Sequence, residues 1–125
     1  MSNQAQKSNV KNKYDLEERT AKFGEAMIVF CGTLEETPVN RPLISQGIRS
    51  STSVGANHME ADAAESKKDF QHKVAICKKE AKETMHWLRM YAKANPKRAE
   101  DCRKIWQEAH ELVLIFSSIL NNSKK

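Results

Sequence analysis

The stretch SKKDFQHKVAICKKEAKETMHWLRMYAKAN, residues 66–95, decides the fold. Within it Phe70, Val74, Cys77, Ala81, Thr84, Leu88 and Tyr91 recur at alternating spacings of four and three, the repeat that lines one face of a helix. Ser66 followed by Asp69 fits a capping box at the start. Asn95-Pro96 ends the pattern, because a proline drives the residue before it out of helical geometry. The charge of this helix is sorted. Lys67, Lys68, Lys73, Lys78, Lys79, Lys82, Arg89 and Lys93 oppose Asp69, Glu80 and Glu83, and eight minus three is +5, the net charge of the whole chain. At about 100° per residue, every cation except Lys73 falls in a sector roughly 120° wide beside the apolar seam, with the acids on the opposite flank. A solvated helix face ordinarily mixes its signs.

Three further segments carry the same periodicity. Upstream, Leu16, Thr20, Phe23, Met27, Phe30 and Leu34 form one line, ended by Thr37-Pro38-Val39-Asn40-Arg41-Pro42, where two prolines forbid continuation. A second segment, from about Arg41 to Ala64, turns Leu43, Ile44, Gly47, Ile48, Ser51, Val54, His58 and Met59 inward. Downstream, Cys102, Trp106, Ala109, Val113, Phe116 and Leu120 align, with Ile105, Leu112 and Ile119 beside them. Short connections make sequential helices antiparallel, so the sequence predicts an all-α, up-down-up-down four-helix bundle. One domain is expected over residues 13–121, with polar tails at 1–12 and 122–125.

A chain of 125 residues holds one core, and its four Gly and three Pro are few, as helices require. No apolar run approaches the roughly 20 residues of a membrane span, and the N-terminus has no signal-peptide core, so a cytoplasmic protein without membrane contact is expected. Cys31, Cys77 and Cys102 are odd in number with no close pair, and each falls on an apolar stripe. They read as buried free thiols rather than a disulfide framework or thiolate metal site. The run Ser50-Ser51-Thr52-Ser53-Val54-Gly55-Ala56 has the intrinsic propensity of a loop. Inside a helix its small side chains suit either close approach of a neighbouring helix or contact with a ligand backbone.

Arg49-Ser50-Ser51-Thr52-Ser53-Val54-Gly55-Ala56-Asn57, then Glu60-Ala61, Ser66-Lys67-Lys68-Asp69-Phe70, and Lys78-Lys79-Glu80-Ala81-Lys82-Glu83-Thr84 with Trp87-Leu88, follow one another in order. This set, within Tyr14 to Leu120, resembles the bacterial four-helix-bundle family encoded by intervening sequences of large-subunit (23S) ribosomal RNA genes. The resemblance implies a small cytoplasmic bundle assembling as a homopentameric ring. A looser relative, the accessory protein of diversity-generating retroelements, is a basic pentamer that binds nucleic acid and a reverse transcriptase. Gene position, rather than function, underlies the ribosomal-protein label sometimes attached to the family.

Lys67, Lys68, Lys78, Lys79, Lys82, Arg89 and Lys93 are therefore the candidate nucleic-acid-binding residues, since cations spaced along a helix can neutralise successive phosphates of RNA or DNA. Most aromatics sit on apolar stripes, so the interleaved platform of a single-strand reader is absent. The competing reading is a structural or protein-interaction scaffold, with the basic flank solvated or paired to acids of a neighbouring subunit. Ile76 and Trp87, eleven residues apart and so on one side of the helix, are the candidate oligomer interface. Arg49, Asn57 and Glu60 are candidate structural polar residues that lock the register. An enzyme is not expected. Glu83-Thr84-Met85-His86 has the Glu-x-x-His spacing of a di-iron bundle, but no second copy exists and both side chains point away from the seam. His58 and Asp62, one turn apart, form a boundary pair. Nothing resembles an activated nucleophile or a phosphate loop, so no cofactor and no metal are expected.

Overall fold

The structure, a computed structural model, describes the backbone of residues 2–124 and the side chains of residues 16–124. Four helices follow one another, α1 (Ser2–Gly32), α2 (Asn40–Asp62), α3 (Lys67–Ala94) and α4 (Ala99–Ser123), with a single 3₁₀ turn, Pro96–Arg98, between the last two. There is no strand among the described residues. The helical backbone of α1 includes residues 2–12, where a tail was expected, and α4 carries the bundle two residues beyond its expected end at 121.

α3 is the central element, packed along its length by α2 on one side and α4 on the other. α1 lies against α2 and meets α4 only sparsely, so the bundle closes along that seam mainly through side chains. There Arg19 donates to both carboxylate oxygens of Glu108 at 2.7 Å, with Glu111 at 3.5 Å. A two-pronged guanidinium–carboxylate pair fixes orientation as well as distance.

The core follows the predicted seams except at Met59, which was expected inward and is 63% exposed. Phe23, Val54, Val74, Cys77, Ala81, Ala109, Leu112 and Phe116 fill one half; Met27, Phe30, Cys31, Leu34, Leu88, Tyr91 and Cys102 fill the other. Burying each large apolar side chain contributes about 1.5–3 kcal/mol. All three cysteines are buried and free. Burial pushes the Cys77 thiol up to about 12 and that of Cys102 to about 11.

The serine-rich run is helical throughout and close packing is its use. A Cβ on Gly55 would meet the Thr20 carbonyl at 3.5 Å, and one on Gly24 would meet the Thr52 backbone at the same distance. On the other side Ser50 and Thr84 share a hydroxyl hydrogen bond of 2.8 Å between α2 and α3. The hydroxyls of Ser50, Ser51 and Thr52 also donate to carbonyls one turn back in α2, which removes the loop's advantage in hydrogen bonding.

Ser66 caps α3 as expected, its hydroxyl accepting from the Asp69 amide at 3.0 Å. Where α3 ends, Asn40 and Asn95 exchange side-chain amide hydrogen bonds of 2.9 Å in both directions. Asn40 also donates to the Glu35 carbonyl and Asn95 to the Tyr91 carbonyl, so one polar pair ties the α1–α2 connection to the end of α3.

Candidate nucleic-acid interface

The cations of α3 are where the periodicity put them. Lys67, Lys68, Lys79, Lys82, Arg89 and Lys93 are exposed and Lys78 is half-buried. From Lys68 to Lys93 the row extends about 37 Å at the helical rise of 1.5 Å per residue. Among the described residues, none of the seven lies within ion-pair distance of a carboxylate.

The acids of the same helix are engaged elsewhere. Arg49 of α2 reaches across to Glu80 at 3.1 Å and Glu83 at 2.6 Å, and these two carboxylates hold the guanidinium pKa above its ordinary value, Glu83 the more strongly. Lys73, the one cation outside the sorted sector, pairs with Glu60 at 3.3 Å. The α2 side of α3 is thereby neutralised and the α4 side is left positive. At the start of α4 the neighbouring arginines are satisfied locally, Arg98 of the 3₁₀ turn by Asp101 at 2.9 Å and Arg103 by Glu100 at 2.5 Å.

Of the structural polar residues, Glu60 is exposed rather than buried but does join α2 to α3 through Lys73, whereas Asn57 donates to the Ser53 carbonyl of its own helix and locks nothing across the bundle. Arg49 with the buried Glu80 locks α2 to α3. Glu80 escaped notice because it lies at the edge of the seam, where a carboxylate reads as surface until its partner on α2 is known.

Ile76 and Trp87 were expected outside the core. Both are half-buried, but Ile76 joins neither core cluster, whereas Trp87 packs against the Met27–Leu88 half of the core with its indole N–H shielded from solvent and unpartnered. The reason is that α2 covers this flank of α3 more broadly than a narrow seam implies. His58 is buried, as its place on the inward line of α2 implies, with its Nδ1 without a partner, while Asp62 is exposed, so the two do not form a boundary pair. Glu83 is engaged by Arg49, and the exposed His86 lies edge-on to Trp87 with ring centroids 4.9 Å apart. Among the described residues, no three His, Cys, Asp or Glu side chains are grouped so as to hold a metal ion. No described helix is long and apolar enough to cross a membrane.

Arg89 and Arg103, with Leu88, Cys102 and Trp106, line a cleft of about 180 Å³ between α3 and α4. Trp106 is stacked on His110, centroids 5.3 Å apart and planes 19° from parallel, so one face of its ring is occupied within the chain. The arrangement offers a row of positive charge without an array of open aromatic faces. Such a row can neutralise an extended anion.

Comparison with known proteins gives a family and a fold. A family model described as 23S rRNA-intervening sequence protein matches residues 12–122. The crystal structure of a protein of unknown function from the S23 ribosomal protein family of Bacteroides thetaiotaomicron is similar, with a TM-score of 0.80 and 28% identity over 87% of this chain and 97% of that one. No functionally curated protein matches the chain.

Proposed function

Because the chain belongs to the 23S rRNA-intervening sequence protein family, we propose that it is a non-enzymatic, cytoplasmic, self-associating bundle that binds RNA or DNA through the cationic flank of α3. One observation carries this reading: among the described residues the seven cations of that flank have no carboxylate partner within the chain, while Glu80 and Glu83 of the opposite flank are both held by Arg49. Unpaired charge at this density favours an anionic partner, and a phosphate backbone repeats along a line as the cations do. Binding is then electrostatic, responsive to the shape of the nucleic acid and nearly indifferent to sequence.

Self-association, as a pentamer by family resemblance, multiplies the contacts and lets a modest charge per chain give useful affinity. The exposed Ile28 and Met59, which line one groove between α1 and α2, support it, since apolar side chains gathered on one surface mark contact regions.

Reversing Lys68, Lys79 and Lys93 together to Glu tests the reading. These three are exposed and belong to neither core cluster, so the fold is retained. Removing three phosphate contacts near physiological salt lowers the association constant on the order of 100-fold. Fluorescence anisotropy with structured RNA, single-stranded RNA and duplex DNA reads the change. Wild-type protein that binds none of the three replaces this function with that of a protein-interaction scaffold.

A further inference from the structure

On the opposite edge of the bundle from the α3–α4 cleft, α1 and α2 border a groove of about 920 Å³. Small residues of the close crossing, Gly24, Gly55 and Ala56 among them, form its floor. Ile28 and Met59 stand over it 50% and 63% exposed, and Glu17, Glu18 and Glu25 rim it. Where α2 borders the groove its exposed side chains are Thr52, Ala56 and Met59, none of them charged, and Arg49 lies on the same side one turn before Thr52. A helix that faces water permanently carries charged and strongly polar residues on that side.

We propose that this groove receives a second copy of the same chain, which seats the α3–α4 edge in it head to tail. The inference rests on the self-association reading and specifies its surfaces. Groove against groove is disfavoured, because it would set the three glutamates of one copy against the three of the other. The rest of this +5 chain is correspondingly cationic.

Leu114, 55% exposed on α4, is the large apolar side chain left open beyond α1, α2 and their connection. Gln71 bonded to Ser123 at one end, and the cleft shared by Arg89 and Arg103 at the other, fix the antiparallel register of α3 and α4. That register brings Lys78 and Lys82 level with the turn bearing Leu114. The edge is an apolar knob flanked by ammonium groups. The groove is its complement, an apolar floor flanked by carboxylates. Lys68, Lys79 and Lys93 lie further round α3 and stay outside the contact. A head-to-tail contact leaves one groove and one knob open at the ends until the assembly closes on itself.

Light scattering on wild type, Met59→Glu and Leu114→Glu, separately and mixed, tests this. Wild type is larger than a monomer at tens of micromolar. Each variant is monomeric with unchanged helicity by circular dichroism, since both positions are exposed. The equimolar mixture gives a dimer and nothing larger, because the intact groove of Leu114→Glu accepts the intact knob of Met59→Glu and no further copy can add. Thr52→Arg, which fills the groove from a third exposed position, abolishes assembly as Met59→Glu does. Variants that assemble like wild type, or a mixture that stays monomeric or regains full size, overturn the docking surfaces while self-association stands. A monomeric wild type overturns both.

Discussion

Tyr91 and Gly47 show how far single residues set this fold. The Tyr91 hydroxyl donates to the Leu43 carbonyl at 2.7 Å, deep between α2 and α3, and accepts from the Cys31 thiol at 3.8 Å. Burial, with Cys31 beside it, raises the phenol pKa well above its ordinary value. The ring reaches this position only because residue 47 has no side chain: a Cβ there would lie 1.7 Å from the hydroxyl oxygen. Gly47→Ala therefore expels the phenol from its site and costs about 3 kcal/mol in urea denaturation, at the upper end of overpacking effects. Tyr91→Phe keeps the ring and loses one buried hydrogen bond, so it costs about 1 kcal/mol. A Gly47→Ala variant as stable as Tyr91→Phe would contradict this packing. The thiols give a pH dependence whose sign follows from burial. Cys77 and Cys102 ionise at about 12 and about 11 when folded, against an ordinary 9.0. The unfolded chain thus releases these protons first, and their contribution is complete below pH 9 and lost as pH rises toward 12. Thermal unfolding between pH 8 and pH 11 should show this decline, and Cys77→Ala should make it shallower.

The elements differ in how much of them the residues announced. α3 and α4 declared themselves through long four-and-three seams, and the Ser66 cap and the Asn95-Pro96 stop set the limits of α3 to within a residue. α2 was harder to read, because Ser50 to Ser53 and Gly55 are weak helix formers whose helical state is imposed by neighbours. Thr84 on one side and Thr20 on the other supply that context, and neither is near in sequence. α1 depends most on individual side chains, since its contact with α4 is sparse. Replacing Arg19 by Ala removes both prongs of the Glu108 pair and should lower stability by about 1 kcal/mol, because the pair is only partly shielded from water. Hydrogen exchange should accelerate in α1 ahead of α3. Uniform acceleration in all four helices, or none, would show that the Arg19 pair does not hold this seam.

At the scale of the molecule the sequence revealed one face and concealed another. The cationic flank was legible because a charge imbalance survives projection onto a helix, and the structure adds that among the described residues its cations are unpaired and, Lys78 apart, exposed. The groove between α1 and α2 belongs to two helices and could not be seen in either alone, although the uncharged Thr52, Ala56 and Met59 on one side of α2 were the available signal. Trp87 misled for the complementary reason, since its angular position was right and the breadth of the α2 contact was not contained in it. The two faces divide the labour proposed for the molecule, with the groove organising copies and the lysine row presenting charge outward. The claim at the centre of this account is that the α3 row neutralises phosphates, and the salt dependence of binding measures it most directly. If Lys68, Lys79 and Lys93 each neutralise one phosphate, they contribute about −2 to −3 to the slope of log association constant against log salt. The slope of the wild-type protein should be at least that steep, and the triple Glu variant should be flatter by that amount. Binding with a slope near zero, or with the same slope in wild type and variant, would contradict it.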